Sequence, residues 1–185
     1  MEVWEFLSIF GKFELWLVVS ITLFFIPLIN RRYRKRYYWL TLILPSLLLA
    51  STITFILKET FKIPRPCNEL PGCPDGYSFP SGHSTVIFSV ITIIILSRKK
   101  GRSLPLISLL LLLATLVSVS RIILNHHTIT DVITGSLIGI LSSVFIDRLY
   151  LKFKKKVGRP GFEPGSQAPE AWILDQARRS PRLKN

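Results

Sequence analysis

Apolar runs of close to twenty residues recur along this chain, and they constrain it more than any other feature. One is "LTLILPSLLLASTITFIL" (40–57) and another is "LPLISLLLLLATLVSV" (104–119). A helix crosses the roughly 30 Å hydrocarbon core of a bilayer with about 20 such residues. Of the 185 residues, 49% are hydrophobic, which together with these runs points to a membrane protein and away from a soluble domain. The expected fold is all-α, an integral membrane helical bundle of about five spans making one domain over residues 13–157. The spans are read at 13–29, 38–57, 81–97, 104–119 and 132–150. Residues 1–12, "MEVWEFLSIFGK", alternate apolar and charged residues and are too short to span, so they read as an interfacial helix. No basic start precedes their apolar part, unlike a cleaved signal peptide.

The formal net charge is +13, which suggests nucleic acid until the charges are located. Thirteen of the 24 Lys and Arg residues fall in "RRYRKR" (31–36), "RKKGR" (98–102) and "KFKKK" (152–156). Each cluster abuts an apolar run, as basic cytoplasmic loops do, whereas a nucleic-acid stripe would lie on a soluble surface. With five spans, connectivity puts all three clusters on the same, cytoplasmic side. Loops 58–80 and 121–131 are then extracytoplasmic, and the expected location is a multi-pass protein of the cell membrane.

Both cysteines, Cys67 and Cys73, fall in the longer outer loop, where they either pair as a disulfide or stay free. A zinc site would need two more ligands at suitable spacing. The same two loops collect the ionisable groups. "KETFKIPRP" (58–66) carries Lys58 and Arg65, "FPSGHS" (79–84) carries Ser81, Gly82 and His83, and "SRIILNHHTITD" (120–131) carries Arg121, His127 and Asp131. Ionisable groups at membrane depth are costly and mark function. Three cations suit a group with several negative charges, such as a phosphate monoester. Pro80–Ser81–Gly82 is a helix-start signature, whose backbone N–H groups bind anions. His127 and Asp131 are four apart and share a face if a helix begins there, and a carboxylate on one ring nitrogen makes the other a better nucleophile or base. Singly each signal is weak: a lysine at a span end is usually an anchor, and Asp131 alone could cap a helix. Their joint occurrence on one side of the membrane is the informative fact.

The pattern Lys-x6-Arg-Pro, Pro-Ser-Gly-His, Ser-Arg-x5-His-x3-Asp resembles that of the type 2 phosphatidic acid phosphatase superfamily, matching in order and spacing. The resemblance implies an all-α membrane bundle and a phosphatase that needs no metal or other cofactor. It also implies roles. His127 would attack phosphorus and form a phosphohistidine, with Asp131 orienting it. His83 would protonate the leaving oxygen and later activate water. Lys58, Arg65, Ser81, Gly82 and Arg121 would hold the phosphate oxygens. His126 lies outside the pattern and reads as a neighbour of the site. Members commonly have six spans, and here the first is missing or reduced to residues 1–12.

The expected substrate is a lipid phosphate reached sideways from the bilayer, a polyprenyl diphosphate (undecaprenyl or dolichyl) first, with phosphatidylglycerol phosphate and phosphatidate as alternatives. A phosphotransferase, a vanadate-dependent haloperoxidase and an inactive lipid-binding scaffold are the competing readings. Neither a nucleic-acid partner nor a particular oligomeric state is implied. Gly135 and Gly139 in "GSLIG" share a face of the fifth span and suit close packing against the third. Residues 158–185 are polar and rich in Pro, Gly and Arg, as in a disordered tail. They have a second reading: "GFEPG" and "WILDQARRS" resemble the T-arm and, on the opposite strand, the D-arm of a tRNA gene entered by the reading frame.

Overall fold

The computed structural model describes residues 3–29, 39–97 and 104–157. Two of the three basic clusters, at 31–36 and 98–102, and the tail at 158–185 lie outside the described residues. Among the described residues six helices follow in order: α1 Val3–Ile9, α2 Phe13–Ile29, α3 Leu40–Phe61, α4 Gly82–Ser97, α5 Leu104–Ile123 and α6 Ile129–Val157. No strand occurs among the described residues. Among the described residues three helices, α3, α5 and the Ile129–Lys154 part of α6, are long and apolar enough to cross a membrane. Two more stretches, Phe13–Phe25 and Gly82–Leu96, are shorter apolar helices.

Met1–Tyr150 form one unit, and Leu151–Asn185 are separate from it. Within the first unit α4 is the centre. Its Val90 and Ile93 pack with Leu40, Leu42 and Ile43 of α3, and its Ile87 and Ile91 pack with Ala114 and Val117 of α5. Trp16 of α2 reaches both clusters, and its indole N–H donates to Phe10 O at 2.6 Å, tying α2 back to the end of α1.

Apolar lipid offers little hydrophobic drive between helices, so close packing and interhelical hydrogen bonds must hold them. Both are present. Thr54 of α3 donates to Thr85 of α4 at 3.1 Å, and Ser143 of α6 donates to Ser89 O of α4 at 2.8 Å. Such bonds contribute about 0.6 kcal/mol each within a membrane. Gly135 and Gly139 let α6 lie directly on α4: a Cβ at either would stand 2.4 Å from the carbonyl oxygen of Ser81 or Thr85. The opposite side of α6 presents Ile133, Leu137, Leu141 and Phe145, each more than half exposed, as a lipid-facing side must.

Three helix ends differ from the sequence-based spans. The second span is expected to stop at Leu57, yet α3 runs on to Phe61, ending at Lys62 in the left-handed region with φ 47°. The fourth is expected to stop at Val119, yet α5 continues through Ile122 and Ile123, and Asn125 turns the chain at φ 56°. Lys58 and Arg121, expected in loops, therefore sit in the last turns of α3 and α5. The fifth is expected to stop at Tyr150, and α6 carries on to Val157 because Lys and Leu are good helix formers.

Candidate active site

The site is assembled where α3, α4, α5 and α6 end or begin. The Lys58 ammonium donates to Tyr77 O at 2.5 Å and Ser78 O at 3.3 Å, fastening the returning loop to α3. Beyond the end of α3, Arg65 donates from Nε to Gly76 O at 3.1 Å and from Nη2 to Asp75 O at 3.2 Å. Gly76 has φ +85°, a conformation side chains disfavour, and it is this turn that aims the carbonyl at Arg65. A disulfide between Cys67 and Cys73 closes the same loop.

Two of Arg65's nitrogens are thus engaged, and the third, Nη1, lies 3.3 Å from Nε2 of His127. Arginine has no acceptor, so Nε2 must be the acceptor and the ring proton belongs on Nδ1. Nδ1 in turn lies 3.6 Å from Oδ2 of Asp131, longer than a hydrogen bond, and is buried with no hydrogen-bond partner. Asp131 is itself fixed. Its Oδ2 accepts from the Ser78 hydroxyl and, at 2.8 Å, from Thr128 N–H, while its own N–H donates to Thr128 Oγ1 at 3.3 Å. Thr128 and Asp131 are a reciprocal cap on the start of α6. His127 lies two residues before that helix, so the pairing comes from the cap and not from a shared helical face.

Arg121 is 5% exposed. Its Nη2 donates to Nδ1 of His126 at 2.6 Å, and its Nε–H is buried with no partner. Its carbonyl accepts from the backbone N–H groups of His126 and His127 at 3.1 and 3.2 Å, so one residue orients both histidines. His83, the second residue of α4, is covered by Gly11: a Cβ at position 11 would lie 2.8 Å from both Cβ and Cδ2 of His83.

Lys12, Lys58, Arg65, His83, Arg121 and His127 face one cavity of 380 Å³, which Gly82 and His126 also line. Asp131 stands behind His127. Ser81 is fully buried; its N–H donates to Asp131 O at 3.0 Å and its hydroxyl accepts from Ser84, so it ties α4 to α6 beneath the cavity. A second cavity of 240 Å³, lined by Phe13, Phe55, Val86 and other residues, shares Lys12, Lys58, Gly82 and His83 with the first. Among the described residues no three His, Cys, Asp or Glu side chains gather as a metal-ligand group.

Burial, followed by the charges of Arg65, Lys58 and Arg121, pushes His127 down to about 2. Burial and then Arg121 and Arg65 lower His126. Both imidazoles are therefore neutral near pH 7, as acceptors from arginine must be. The arrangement offers an uncharged ring nitrogen to an electrophile, with cations around it to hold a polyanion.

Sequence reasoning identified the motif residues but not Gly11, Lys12, Ser78 or Thr128. The threonine had a signal, the T-x-x-D spacing ahead of an apolar run, and Gly11 had a weaker one as a glycine just after a short helix. Ser78 had none.

The chain is 31% identical over 140 residues to an undecaprenyl-diphosphatase from Sulfolobus acidocaldarius, covering 72% of this chain and 63% of that protein. It is 41% identical over 69 residues to the bacitracin transport permease protein BcrC of Bacillus licheniformis, covering 37% and 32%. The matches thus span under two thirds of these relatives' lengths. Among solved structures, Aquifex aeolicus LpxE superposes with a TM-score of 0.63 at 25% identity, covering 78% of this chain and 83% of that one. A Bacillus subtilis PAP2-type phosphatidylglycerolphosphate phosphatase superposes with a TM-score of 0.65 at 23% identity, covering 81% and 76%. These likenesses support a multi-pass membrane protein with the fold of those phosphatases. The PAP2 superfamily model matches residues 39–155, a segment that takes in every motif residue from Lys58 to Asp131, and the chain belongs to that family.

Proposed function

We propose that this protein hydrolyses a lipid phosphate, most readily a polyprenyl diphosphate, through a phosphohistidine on His127. The observation that carries the proposal is the Arg65–His127–Asp131 alignment, which leaves Nε2 unprotonated beside a guanidinium, with a carboxylate behind Nδ1. Nε2 attacks the terminal phosphorus, the bond from phosphorus to the leaving oxygen breaks, and His83 gives that oxygen a proton. The Nδ1 proton remains on the ring, whose positive charge Asp131 balances. Water, deprotonated by His83, then attacks the phosphohistidine, releasing phosphate and restoring neutral His127. Lys58, Arg65 and Arg121 hold the phosphoryl oxygens, the unpartnered Nε–H of Arg121 offering one donor. Gly82 lines the cavity at the start of α4, and Ser81 supports that turn from below.

The diphosphate preference is supported by the likeness to an undecaprenyl-diphosphatase and by the number of cations at the cavity. The basic clusters in the sequence support an extracytoplasmic side of the cell membrane for this cavity. Phosphate release from purified protein in EDTA, over a panel of polyprenyl diphosphate, polyprenyl phosphate, phosphatidylglycerol phosphate and phosphatidate, tests the reading. The diphosphate should have the highest kcat/KM. No release from any of them would leave a lipid-binding scaffold as the answer. Labelling of reduced Cys67 and Cys73 by an impermeant maleimide in intact cells tests the orientation.

A further inference from the structure

The junction between α1 and α2 lies outside the matched family segment and outside all three motifs, yet it forms a wall of the site. Gly11 is buried against the His83 ring, and the next residue, Lys12, lines both cavities. The junction is held in place. Lys12 N–H donates to Ile9 O at 3.1 Å, Phe10 N–H donates to Leu7 O at 3.2 Å, and Trp16 donates to Phe10 O. The backbone carrying Lys12 is therefore anchored beside His83.

Under the proposed function, the two cavities have an order. Arg65, Arg121 and His127 belong to the first cavity alone, so the phosphoryl group under attack sits there. His83, Lys12, Lys58 and Gly82 belong to both, so the leaving oxygen sits at the boundary that they form. Beyond that boundary the lining turns to Phe13, Phe55 and Val86, which suit the first carbons of an alkyl chain. A diphosphate ester spans the sequence: terminal phosphoryl group, bridging oxygen, inner phosphate, then carbon. The inner phosphate falls where Lys12 is.

We infer that Lys12 binds the inner phosphate of a diphosphate substrate and so sets the preference for diphosphates over monophosphates. In the cleavage, the bond between terminal phosphorus and bridging oxygen breaks, and that oxygen stays on the leaving phosphate. The added charge is spread over a phosphate group, where an ammonium neutralises it directly. A monophosphate leaves as an alcohol and has nothing for Lys12 to hold. The inference rests on the proposed phosphatase activity and adds to it the residue that distinguishes the two substrate classes.

The test compares farnesyl diphosphate with farnesyl phosphate, which share a chain, on purified wild type, Lys12→Gln and Lys12→Arg. Losing one charge-assisted hydrogen bond should lower kcat/KM for the diphosphate by roughly 10- to 100-fold, and for the monophosphate by under about 5-fold. Lys12→Arg should restore most of the diphosphate rate. Equal losses on both substrates would mean that Lys12 acts only by supporting Gly11 and His83, and no loss on either would mean that it does not meet the substrate. Both results overturn the inference. Wild-type protein that cleaves only the monophosphate overturns the substrate reading itself, and the wild-type arm reports that separately.

Discussion

Nη1 of Arg65 lies 3.3 Å from Nε2 of His127, so the ring proton belongs on Nδ1 and Nε2 keeps the lone pair that the proposed reaction needs. The adjacent histidine lines the same cavity but is engaged by another arginine, accepting from Arg121 at 2.6 Å. His127→Ala should therefore lower kcat/KM by on the order of 1,000-fold or more. His126→Ala should still turn over, but roughly tenfold more slowly, because Arg121 loses an acceptor. Acid-labile label from a phosphorus-32 substrate should accumulate on His83→Ala and be absent from His127→Ala. If His127→Ala turned over while His126→Ala were dead, the roles of Arg121 and Asp131 would have to be reassigned as well.

The low proton affinity of His127 has a consequence for pH dependence. Burial comes first, then Arg65, and together with Lys58 and Arg121 they hold its pKa near 2. The neutral ring is the reactive form, so no loss of kcat/KM between pH 7 and 4 should come from this histidine. Arg65→Gln removes one lowering charge, so the pKa must rise and the inactive protonated ring must appear at higher pH. Besides its lower rate, the variant should show an acid limb shifted upward, readable by the kcat/KM profile and by nitrogen-15 titration of His127. Superimposable profile shapes would argue against this electrostatic account.

The Cys67–Cys73 disulfide closes the loop whose Asp75 and Gly76 carbonyls hold Arg65. Replacing both cysteines by serine, or adding a thiol reductant, should loosen Arg65 without touching His127. The expected result is a rise in KM by about 3- to 10-fold with a smaller change in kcat. An unchanged KM would show that Arg65 is held without the bridge.

Gly135→Ala would set a methyl carbon 2.4 Å from Ser81 O, at the residue whose N–H reaches Asp131. Backbone cannot yield as a flexible side chain would, so α4 and α6 must move apart. Overpacking of this kind costs about 1–3 kcal/mol, and Tm in detergent should fall by several degrees along with activity. Leu137→Ala, on the lipid-facing side of the same helix, should leave both close to wild type. Equal effects of the two changes would argue against the close contact.

Much of the site was readable because the chemistry is concentrated. Lys58, Arg65, His83, Arg121, His127 and Asp131 are ionisable groups in otherwise apolar surroundings, and their spacing is distinctive. Helix ends were less readable. Hydropathy drops at Lys58 and Arg121, but a helix continues until its backbone turns, and Lys62 and Asn125 supply those turns. Gly11 and Lys12 escaped notice for a different reason. Their importance comes from a tertiary approach to His83 across more than seventy residues of chain, and nothing local in "FGK" records it.

The seat of α6 on α4 also bears on how this sequence can change over generations. At Gly135 and Gly139, one turn apart, the facing carbonyls leave room for hydrogen alone, so drift there is closed whatever happens elsewhere. Across the helix, Ile133 and Leu137 are more than half exposed, and any apolar side chain serves there. One helix thus carries two mutational clocks, one stopped and one running freely, and descendants of this chain should differ mainly along the second.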